Sequence, residues 1–252
     1  MFRPRVIPVL LLKDRALVKS VRFRDYKYLG DPINAVRIFN ELGADELLFL
    51  DIQASLESRP ISLDFVREVG EEARMPFGVG GGIRTLDHIR DTIAAGAEKV
   101  GIGTRAAEDP EFVRAAADEF GSSTIVVCMD VKRRSFRGDV VQAMGGNKTT
   151  PFKPVDFARL MEESGAGELV VQSIDRDGTM AGYDIDLVRS VSDAVTIPVV
   201  ALGGAGRMEH LFDAFELGHA SALAAGSMFV FKDARRGVLV NYPKQDELKF
   251  PE

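Results

Sequence analysis

The amino-acid sequence predicts an α/β fold, a closed (β/α)8 barrel of the TIM type that contains an internal half-barrel repeat. Three observations support this prediction. The chain has 252 residues, the usual length of such a barrel. Eight short apolar segments alternate with helical segments, which indicates a parallel sheet. The second half of the sequence repeats the first, which favours closure into a barrel over an open sheet.

The predicted strands are short runs of mainly aliphatic and β-branched residues. In chain order they are RVIPVLLL (5–12), ELLFLDI (46–52), PFGVG (76–80), KVGIG (99–103), TIVVCMD (124–130), ELVVQSI (168–174), PVVALG (198–203) and SALAAG (221–226). Helices are predicted between them, among others over PINAVRIFNELG (32–43), PEFVRAAADEFG (110–121) and PVDFARLMEESG (154–165). These three end in glycine, a common helix stop. Because no linker interrupts the alternation, residues 1–252 are expected to form a single domain.

The repeat divides the chain into halves of about 1–121 and 122–252. Three pairs of segments align at one offset: MPFGVGGGIRT (75–85) with IPVVALGGAGR (197–207), GADELLFLDI (43–52) with GAGELVVQSI (165–174), and GAEKVGIGT (96–104) with GHASALAAG (218–226). Near the start of each half, VLLLK (9–13) lines up with CMDVK (128–132). Asp130 therefore corresponds to Leu11. If the halves once supplied a symmetric pair of carboxylates, only one remains, and an alkyl side chain cannot transfer a proton.

Two segments depart from regular alternation. Residues 133–153 form a long connection, which is predicted to carry a small hairpin and to cross the barrel mouth. The tail, residues 231–252, contains Gly237 and Pro243 and has little helical periodicity, so the last barrel helix is predicted to be short or irregular.

Composition excludes several classes of function. A net charge of −6 argues against general nucleic-acid binding, because no basic excess is available to neutralise phosphates. The single cysteine, Cys128, excludes an internal disulfide and a multi-cysteine metal site. No apolar run reaches membrane-spanning length and no signal peptide is recognisable. We expect a cytoplasmic protein without a metal or organic cofactor, with its three histidines, His88, His210 and His219, at the surface.

Four glycine-containing turns follow predicted strands. The first-half turns are GVGGGIRT (78–85) and GIGT (101–104), and the second-half turns are LGGAGR (202–207) and AAGS (224–227). Glycine lets backbone N–H groups approach an anion, and a helix N-terminus adds positive partial charge. The alternative is that these are merely tight turns. The duplication favours two opposed phosphate sites, with these predicted ligands: Gly82, Gly103, Thr104, Gly203, Gly204, Gly226 and Ser227.

Charged residues begin four of the predicted strands, at the bottom face of the barrel: Arg5, Glu46, Lys99 and Glu168. By two-residue alternation, Arg5 shares its side with Leu11, and Glu46 shares its side with Leu50. If these sides point inward, the bore has a charge-balanced ring at its base and an apolar column above it. A purely structural salt-bridge plug is the alternative, since partly buried charges need partners.

The sequence resembles the cyclase subunit family of imidazole glycerol phosphate synthase over residues 3–230. The resembling motifs are RVIPVL…KD, GADELLFLDI, VGGGIRT, FGSSTIVVCMDVKR, SIDRDGTMAGYD and GGAG. The resemblance implies a barrel that pairs with a glutaminase subunit as a heterodimer, carries ammonia through its bore and closes an imidazole ring on a bis-phosphorylated ribonucleotide. It also implies a catalytic Asp130, whose partner position holds Leu11.

Further roles come only from the resemblance. It implies that Asp177 and Gly178 belong to the phosphate sites and that Lys19, Asp51 and Gln172 line the substrate mouth, Gln172 in place of a small hydroxyl residue. It makes the ring Arg5, Glu46, Lys99 and Glu168 an ammonia gate and puts Glu98 at the glutaminase interface. Gly103 replaces an expected asparagine, Leu202 a small hydroxyl residue, and Arg15 and Ser20 replace glycines.

In these departures the chain is similar to a paralogous group associated with glycosyl amidation in surface-polysaccharide biosynthesis. Such proteins accompany a glutaminase and a sugar amidotransferase that makes amidated (acetamidino) sugars. Three functions therefore compete: an ammonia-channelling subunit with impaired cyclase activity, a working cyclase (a lyase) of histidine biosynthesis, and a sensor of a phosphorylated ligand. Leu11 favours the first over the second, and the charged ring disfavours the third.

Overall fold

The computed structural model describes residues 3–135, 138–232 and 237–250. The first half contains β1 (Arg5–Lys13), β2 (Ala16–Val21), β3 (Arg24–Gly30), α1 (Pro32–Leu42), β4 (Leu47–Asp51), α2 (Leu63–Glu72), β5 (Phe77–Gly80), α3 (Leu86–Ala94), β6 (Lys99–Ile102), α4 (Thr104–Glu108) and α5 (Pro110–Phe120). The second half contains β7 (Ile125–Arg134), β8 (Gly138–Ala143), β9 (Lys148–Thr149), α6 (Pro154–Glu163), β10 (Glu168–Ser173), α7 (Ile185–Ser192), β11 (Val199–Leu202), α8 (Met208–Glu216), β12 (Ala222–Ala225) and α9 (Ser227–Val230).

Eight parallel strands close into a barrel, as the sequence predicts. Strand β1 pairs with β12 and β4, and the ladder continues through β5, β6 and β7. Closure comes from β10, which pairs with both β7 and β11, while β11 pairs with β12. All eight predicted strands are confirmed, and β7 alone runs well beyond its predicted end, to Arg134.

The helices pack apolar stripes on the outside of the barrel. In α1 the buried residues are Pro32, Ala35, Val36 and Phe39, at the spacing of one helix face. Asp31 caps the start of α1, where its side chain accepts the N–H of Asn34. Gly43 ends the helix with a positive φ of 69°, which glycine adopts without strain. This helix, and those predicted near residues 110 and 154, are confirmed.

Two antiparallel hairpins extend the barrel at its top. Strand β1 continues into the first hairpin, β2–β3, and β7 continues into the second hairpin, β8–β9. The second hairpin confirms the prediction for residues 133–153, of which 136–137 lie outside the described residues. No strand is predicted from the sequence between residues 13 and 30, so the first hairpin is a finding of the structure.

The tail replaces the last barrel helix, because α9 ends after Val230 and the described residues that follow contain no helix. This confirms the irregular end, although residues 233–236 and 251–252 lie outside the described part. The tail nevertheless packs against the barrel through aromatic side chains. The Tyr242 ring lies 5.5 Å from the Phe229 ring, and the Phe250 ring lies 5.1 Å from that of Phe212. Among the described residues, no helix is long and apolar enough to cross a membrane.

Candidate functional site

The long glycine turns of the two halves have the same construction. A Cβ at Gly81 would lie 2.7 Å from the carbonyl oxygen of Asp51, and one at Gly203 would lie 2.8 Å from that of Ser173. At the next position, a Cβ on Gly204 would lie 2.1 Å from the carbonyl oxygen of Gly182. These close approaches, with positive φ angles, require glycine. The turns therefore present backbone at the mouth where side chains cannot fit.

A histidine in the first turn of the following helix secures each long turn. His88 Nδ1 accepts the N–H of Arg84 at 3.3 Å, and His210 Nδ1 accepts the N–H of Gly206 at 3.1 Å. The expectation that all three histidines are at the surface is wrong for His210, which is buried. Burial lowers the pKa of His210, with Arg207 acting in the same direction, so the neutral acceptor form is favoured.

The short glycine turns each precede a short helix. Gly103 precedes α4 and Gly226 precedes α9, with similar φ angles of −108° and −106°. Gly103 thus corresponds to Gly226 rather than to Ala225, so the alignment offset expected for this segment is wrong by one residue. The adjoining hydroxyls differ. Thr104 Oγ1 accepts the N–H of Met144 at 2.9 Å, whereas Ser227 Oγ is buried without a hydrogen-bond partner among the described residues.

A cavity of about 230 Å³, the mouth cavity, opens above the bore. The first-half turns line it through Gly82, Gly103 and Thr104, and Asp130, Gln172 and Leu11 lie on its inner side. Among the described residues, the second-half turns do not contribute to its lining. The two predicted phosphate sites therefore differ in their access to this cavity, although their sequences are duplicated.

The first hairpin contacts the short glycine turn of the second half. Lys19 Nζ lies 3.3 Å from Asp177 Oδ1, and its Cε lies 2.7 Å from where a Cβ on Gly226 would be. Ser20 Oγ donates to Asp177 Oδ2 at 2.7 Å. Gly178 packs under the hairpin, because a Cβ there would lie 2.1 Å from the Ser20 carbonyl oxygen. The Asp177 carboxylate thus holds the hairpin, while its predicted phosphate role stays a prediction.

Asp130 lies on the inner face of β7, where Cys128 is the preceding inward residue. Strand pairing sets Asp130 beside Gln172 of β10, and sets Leu11 beside Leu50 of β4. Burial, reinforced by the Asp177 carboxylate, raises the pKa of Asp130 to about 7. Burial likewise raises the pKa of the Cys128 thiol to about 12, so this cysteine stays protonated. One carboxyl group able to exchange protons near neutral pH therefore faces an apolar residue.

The four charged residues predicted at the strand starts form a closed ring of ion pairs, the charged ring. Arg5 contacts Glu46 through one guanidinium nitrogen and Glu168 through the other. Lys99 Nζ lies 3.0 Å from Glu46 and 2.8 Å from Glu168. Burial alone would lower the pKa of Arg5, but attraction to Glu168 and Glu46 raises it. Every carboxylate thus contacts both cations, which offsets the cost of burying it.

A small void lies directly above the charged ring. It measures about 10 Å³, close to the space that one water-sized molecule needs. Its walls include the apolar residues Ile7, Leu48, Val126, Val170 and Val200. Gly101 and Val170 line both this void and the mouth cavity. The void and the mouth cavity therefore adjoin at these two residues, and the buried side chains of the bore between the charged ring and the mouth are mainly apolar, as the strand alternation predicts.

The remaining predicted residues lie at both ends of the barrel. Asp51 borders the mouth cavity, where Oδ2 pairs with Arg59 at 2.6 Å and Oδ1 accepts the N–H of Gln53 at 3.0 Å. Gln172 is buried at the top of β10. Glu98 is exposed just before β6, at the bottom rim.

Sequence reasoning missed several residues that line the mouth cavity, including Phe23, Arg24, Tyr26, Arg84 and Arg105. Arg84 lies within the long glycine turn 78–85 and Arg105 directly follows the short turn 101–104, a signal that could have identified both. The other three belong to the first hairpin, which is not predicted from the sequence. Among the described residues, no group of three or more His, Cys, Asp and Glu side chains could hold a metal ion.

Comparison with known proteins identifies a family and a similar protein. A family model described as "Histidine biosynthesis protein" matches residues 5–235. A Pseudomonas aeruginosa protein named "Putative imidazole glycerol phosphate synthase subunit hisF2" is 46% identical over 248 residues, which cover 98% of this chain and 99% of that protein. Both matches span the charged ring, the bore and the mouth.

Proposed function

This chain belongs to the histidine biosynthesis protein family, and from that membership we propose that it is a cyclase-subunit-like barrel that channels ammonia. A glutaminase docks at the bottom face, on the side of Glu98, and releases ammonia at the charged ring. The ammonia travels through the bore to the mouth. There a sugar amidotransferase uses it to make amidated (acetamidino) sugars.

The observation that carries this proposal is the charged ring with the void above it. Four compensated charges at one end of an apolar passage give a polar entrance with no net charge. Neutral ammonia can leave this entrance for the apolar bore at low cost, whereas ammonium would lose its hydration without a counter-ion. A plug with only a structural role would not need a void between the charged ring and the mouth cavity.

Leu11 argues against a full cyclase activity. General acid–base catalysis by a second carboxyl group is worth roughly 10²–10⁴-fold, and a leucine cannot supply it. Leu50, the neighbour of Leu11 in β4, is also apolar, and the carboxylate of the next residue, Asp51, is paired with Arg59. The barrel therefore retains the apolar bore but has only one of the two carboxyl groups that the cyclase reaction needs.

The test combines the purified barrel, a glutaminase and a sugar amidotransferase. Glutamine labelled with heavy nitrogen at its amide is supplied together with excess unlabelled ammonium. Channelling predicts that the amidated sugar carries mostly the heavy label. A product whose label follows the mixed pool of free ammonia would contradict the proposal, as would an amidotransferase that gains nothing from the barrel.

A second candidate is the cyclase of histidine biosynthesis. It is favoured by Asp130, whose pKa near 7 suits a general acid or base, and by the first-half turns, which remain open at the mouth cavity. Incubation of the barrel with the bis-phosphorylated ribonucleotide and ammonium distinguishes the two. Ring closure at a rate typical of enzymes supports the cyclase, and its absence together with labelled transfer supports channelling.

A further inference from the structure

The first hairpin presents an open strand edge. Among the described residues β3 pairs only with β2, so the backbone groups along its other edge face outward. Two aromatic side chains of this strand are exposed, Tyr26 by 44% and Tyr28 by 68%. Open edges of this kind are usually shielded in natural proteins, or serve to add a strand from a partner.

The hairpin is held in place rather than loosely attached. The Arg22 N–H donates to the Asp177 carbonyl oxygen at 3.0 Å, and Arg22 Nε donates to that of Asp175 at 3.1 Å. On the other side Phe23 packs close to Gly146 of the second hairpin. A surface that is already ordered loses little conformational entropy when a partner binds. The open edge is therefore preorganised for docking.

The charge of the hairpin is opposite to that of the whole chain. Residues 13–30 contain six basic and two acidic side chains, although the chain carries a net charge of −6. Arg24 is exposed and forms no ion pair among the described residues. Lys13 lies 5.2 Å above the Tyr26 ring, which leaves its charge near this face. Such a patch attracts an acidic surface and accelerates association with it.

The position of this patch links it to the bore. Phe23, Arg24 and Tyr26 line the same mouth cavity as Asp130 and Gln172. A molecule that leaves the bore through this cavity passes beneath the hairpin. A protein docked on the open edge would therefore hold its own active site next to the exit, which shortens the distance over which ammonia can escape.

We propose that the outer edge of β3, with Arg24, Tyr26 and Tyr28, is the docking surface for the enzyme that consumes the ammonia. This partner presents an acidic, exposed strand that extends the hairpin by one antiparallel or parallel strand. The proposal rests on the proposed function, since it takes the mouth as the ammonia exit. It adds which face the consuming enzyme occupies and what chemistry that enzyme must offer.

The experiment measures binding of the sugar amidotransferase to the barrel–glutaminase complex, with the doubly substituted barrel Arg24→Glu, Tyr28→Ala. Matched controls are Lys249→Glu and Ile38→Ala, which make the same kinds of change at exposed positions elsewhere. The double variant should weaken binding by about tenfold or more, as loss of an aromatic and arginine anchor typically does. The controls should change it less than about twofold, and affinity for the glutaminase should be unchanged.

Hydrogen exchange provides the second measurement. Strand addition should protect the backbone amides of residues 24–30 when the amidotransferase binds, and the affinity of the unmodified barrel should fall with salt. If the unmodified and doubly substituted barrels bind the amidotransferase equally, or if protection maps away from β3, the assignment of the docking surface is contradicted. The channelling proposal is then still tested separately by the labelled transfer. If the unmodified complex shows neither binding nor labelled transfer, the proposed function itself is overturned.

Discussion

Leu11 and Asp130 occupy equivalent positions in the two halves of the barrel. Each sits on an inner strand that continues into a hairpin, where Leu11 pairs with Val18 and Asp130 pairs with Gln142. Across the barrel wall the neighbours are Leu50 and Gln172. At these equivalent positions the first half is therefore apolar and the second half polar. Chemistry that needs a carboxyl group at each of the two positions has only Asp130.

The first prediction concerns Leu11→Asp. The unmodified barrel should show negligible ammonia-dependent cyclisation of the bis-phosphorylated ribonucleotide, and Leu11→Asp should give a small but measurable rate. Recovery should be partial, because Gly103, Gln172 and Leu202 also differ from the family pattern. A carboxyl group placed beside Leu50 should also lower the free energy of unfolding, by about 1–3 kcal/mol.

Leu11→Asn is the control, since it introduces a polar group of similar size that cannot transfer a proton at neutral pH. Cyclisation should appear with aspartate and not with asparagine, while both variants lose stability. Turnover by the unmodified barrel at roughly 1 per second or faster, a rate typical of enzymes, would contradict the assignment of Leu11 as a disabling residue.

The second prediction concerns Asp130→Asn and pH. The folded-state pKa of Asp130 is raised to about 7, above the unfolded value of about 4. Between these two values the folded protein binds a proton that the unfolded chain has released, so stability falls as pH rises through this window. The loss is about 1.4 kcal/mol per pH unit. Asp130→Asn should therefore raise the melting temperature clearly at pH 8 and little at pH 4.

Calorimetry of both proteins across this pH range is the measurement, with the exposed Asp118→Asn as control. The control should change the melting temperature only slightly, and by the same amount at pH 4 and pH 8. A stabilisation by Asp130→Asn that does not depend on pH would show that the carboxyl group is not titrating in this window.

The charged ring and the apolar bore could be predicted because strand alternation fixes which side chains point inward. Arg5, Ile7, Val9 and Leu11 follow from a period of two alone. The first hairpin could not be predicted, because its turns lack the usual signature. Arg22 and Phe23 adopt positive φ angles of 53° and 61° at a position where asparagine and glycine are the common residues.

The phosphate sites show a different limit of sequence reasoning. The duplicated glycine turns predict two similar backbone turns, and the long turns of the two halves have the same construction, while phosphate binding at them stays a prediction. The sequence does not reveal that Lys19 lies against the turn at Gly226, because that contact depends on the first hairpin and on Asp177, far away along the chain. Local motifs specify the turns, whereas accessibility depends on tertiary packing.

The third prediction concerns phosphate and Ser227→Ala. Ser227 Oγ is buried without a hydrogen-bond partner among the described residues, and Lys19 Nζ lies 2.9 Å from where a Cβ on the preceding Gly226 would be. If phosphate binds there, this hydroxyl donates to it. Its removal should weaken phosphate binding by about tenfold, the equivalent of one hydrogen bond to a charged group. Stability without phosphate should stay equal or rise, since an unpaired buried polar atom is lost.

Ser164→Ala is a matched control, because Ser164 Oγ is also buried without a partner among the described residues, but lies at the end of α6. In calorimetric titration with inorganic phosphate, the Ser164→Ala variant should bind phosphate with the same affinity as the unmodified barrel. If neither the unmodified barrel nor Ser164→Ala binds phosphate at millimolar concentration, the second-half turns are only tight turns.

The fourth prediction concerns Tyr242→Phe in the tail. The Tyr242 hydroxyl donates to the Val6 carbonyl oxygen at 3.0 Å and accepts the N–H of Asp45 at 3.3 Å. Its loss leaves two backbone groups unpaired at the bottom of β1, so unfolding should become easier by about 1–3 kcal/mol. Thermal unfolding measures this, and Tyr28→Phe at an exposed site should have almost no effect. If Tyr242→Phe destabilises the protein no more than Tyr28→Phe does, the tail contributes little to the stability of the barrel.

The last prediction concerns Lys99→Met in the charged ring. Removal of the lysine leaves Glu46 and Glu168 facing Arg5 alone, so the ring gains a net negative charge at the entrance to the bore. An anionic entrance retains ammonium and no longer favours release of neutral ammonia into the apolar passage. With heavy-nitrogen glutamine and unlabelled ammonium, the labelled fraction of the amidated sugar should fall, while amidation driven by ammonium alone should not.

The exposed Lys249→Met is the control. Because a buried carboxylate that loses its partner can cost about 3–5 kcal/mol, calorimetry must first confirm that the variant is folded, and Lys99→Arg provides a variant that keeps the charge. A folded Lys99→Met barrel that lowers both reactions equally, or neither, would mean that the ring is a structural plug and that ammonia does not pass through it.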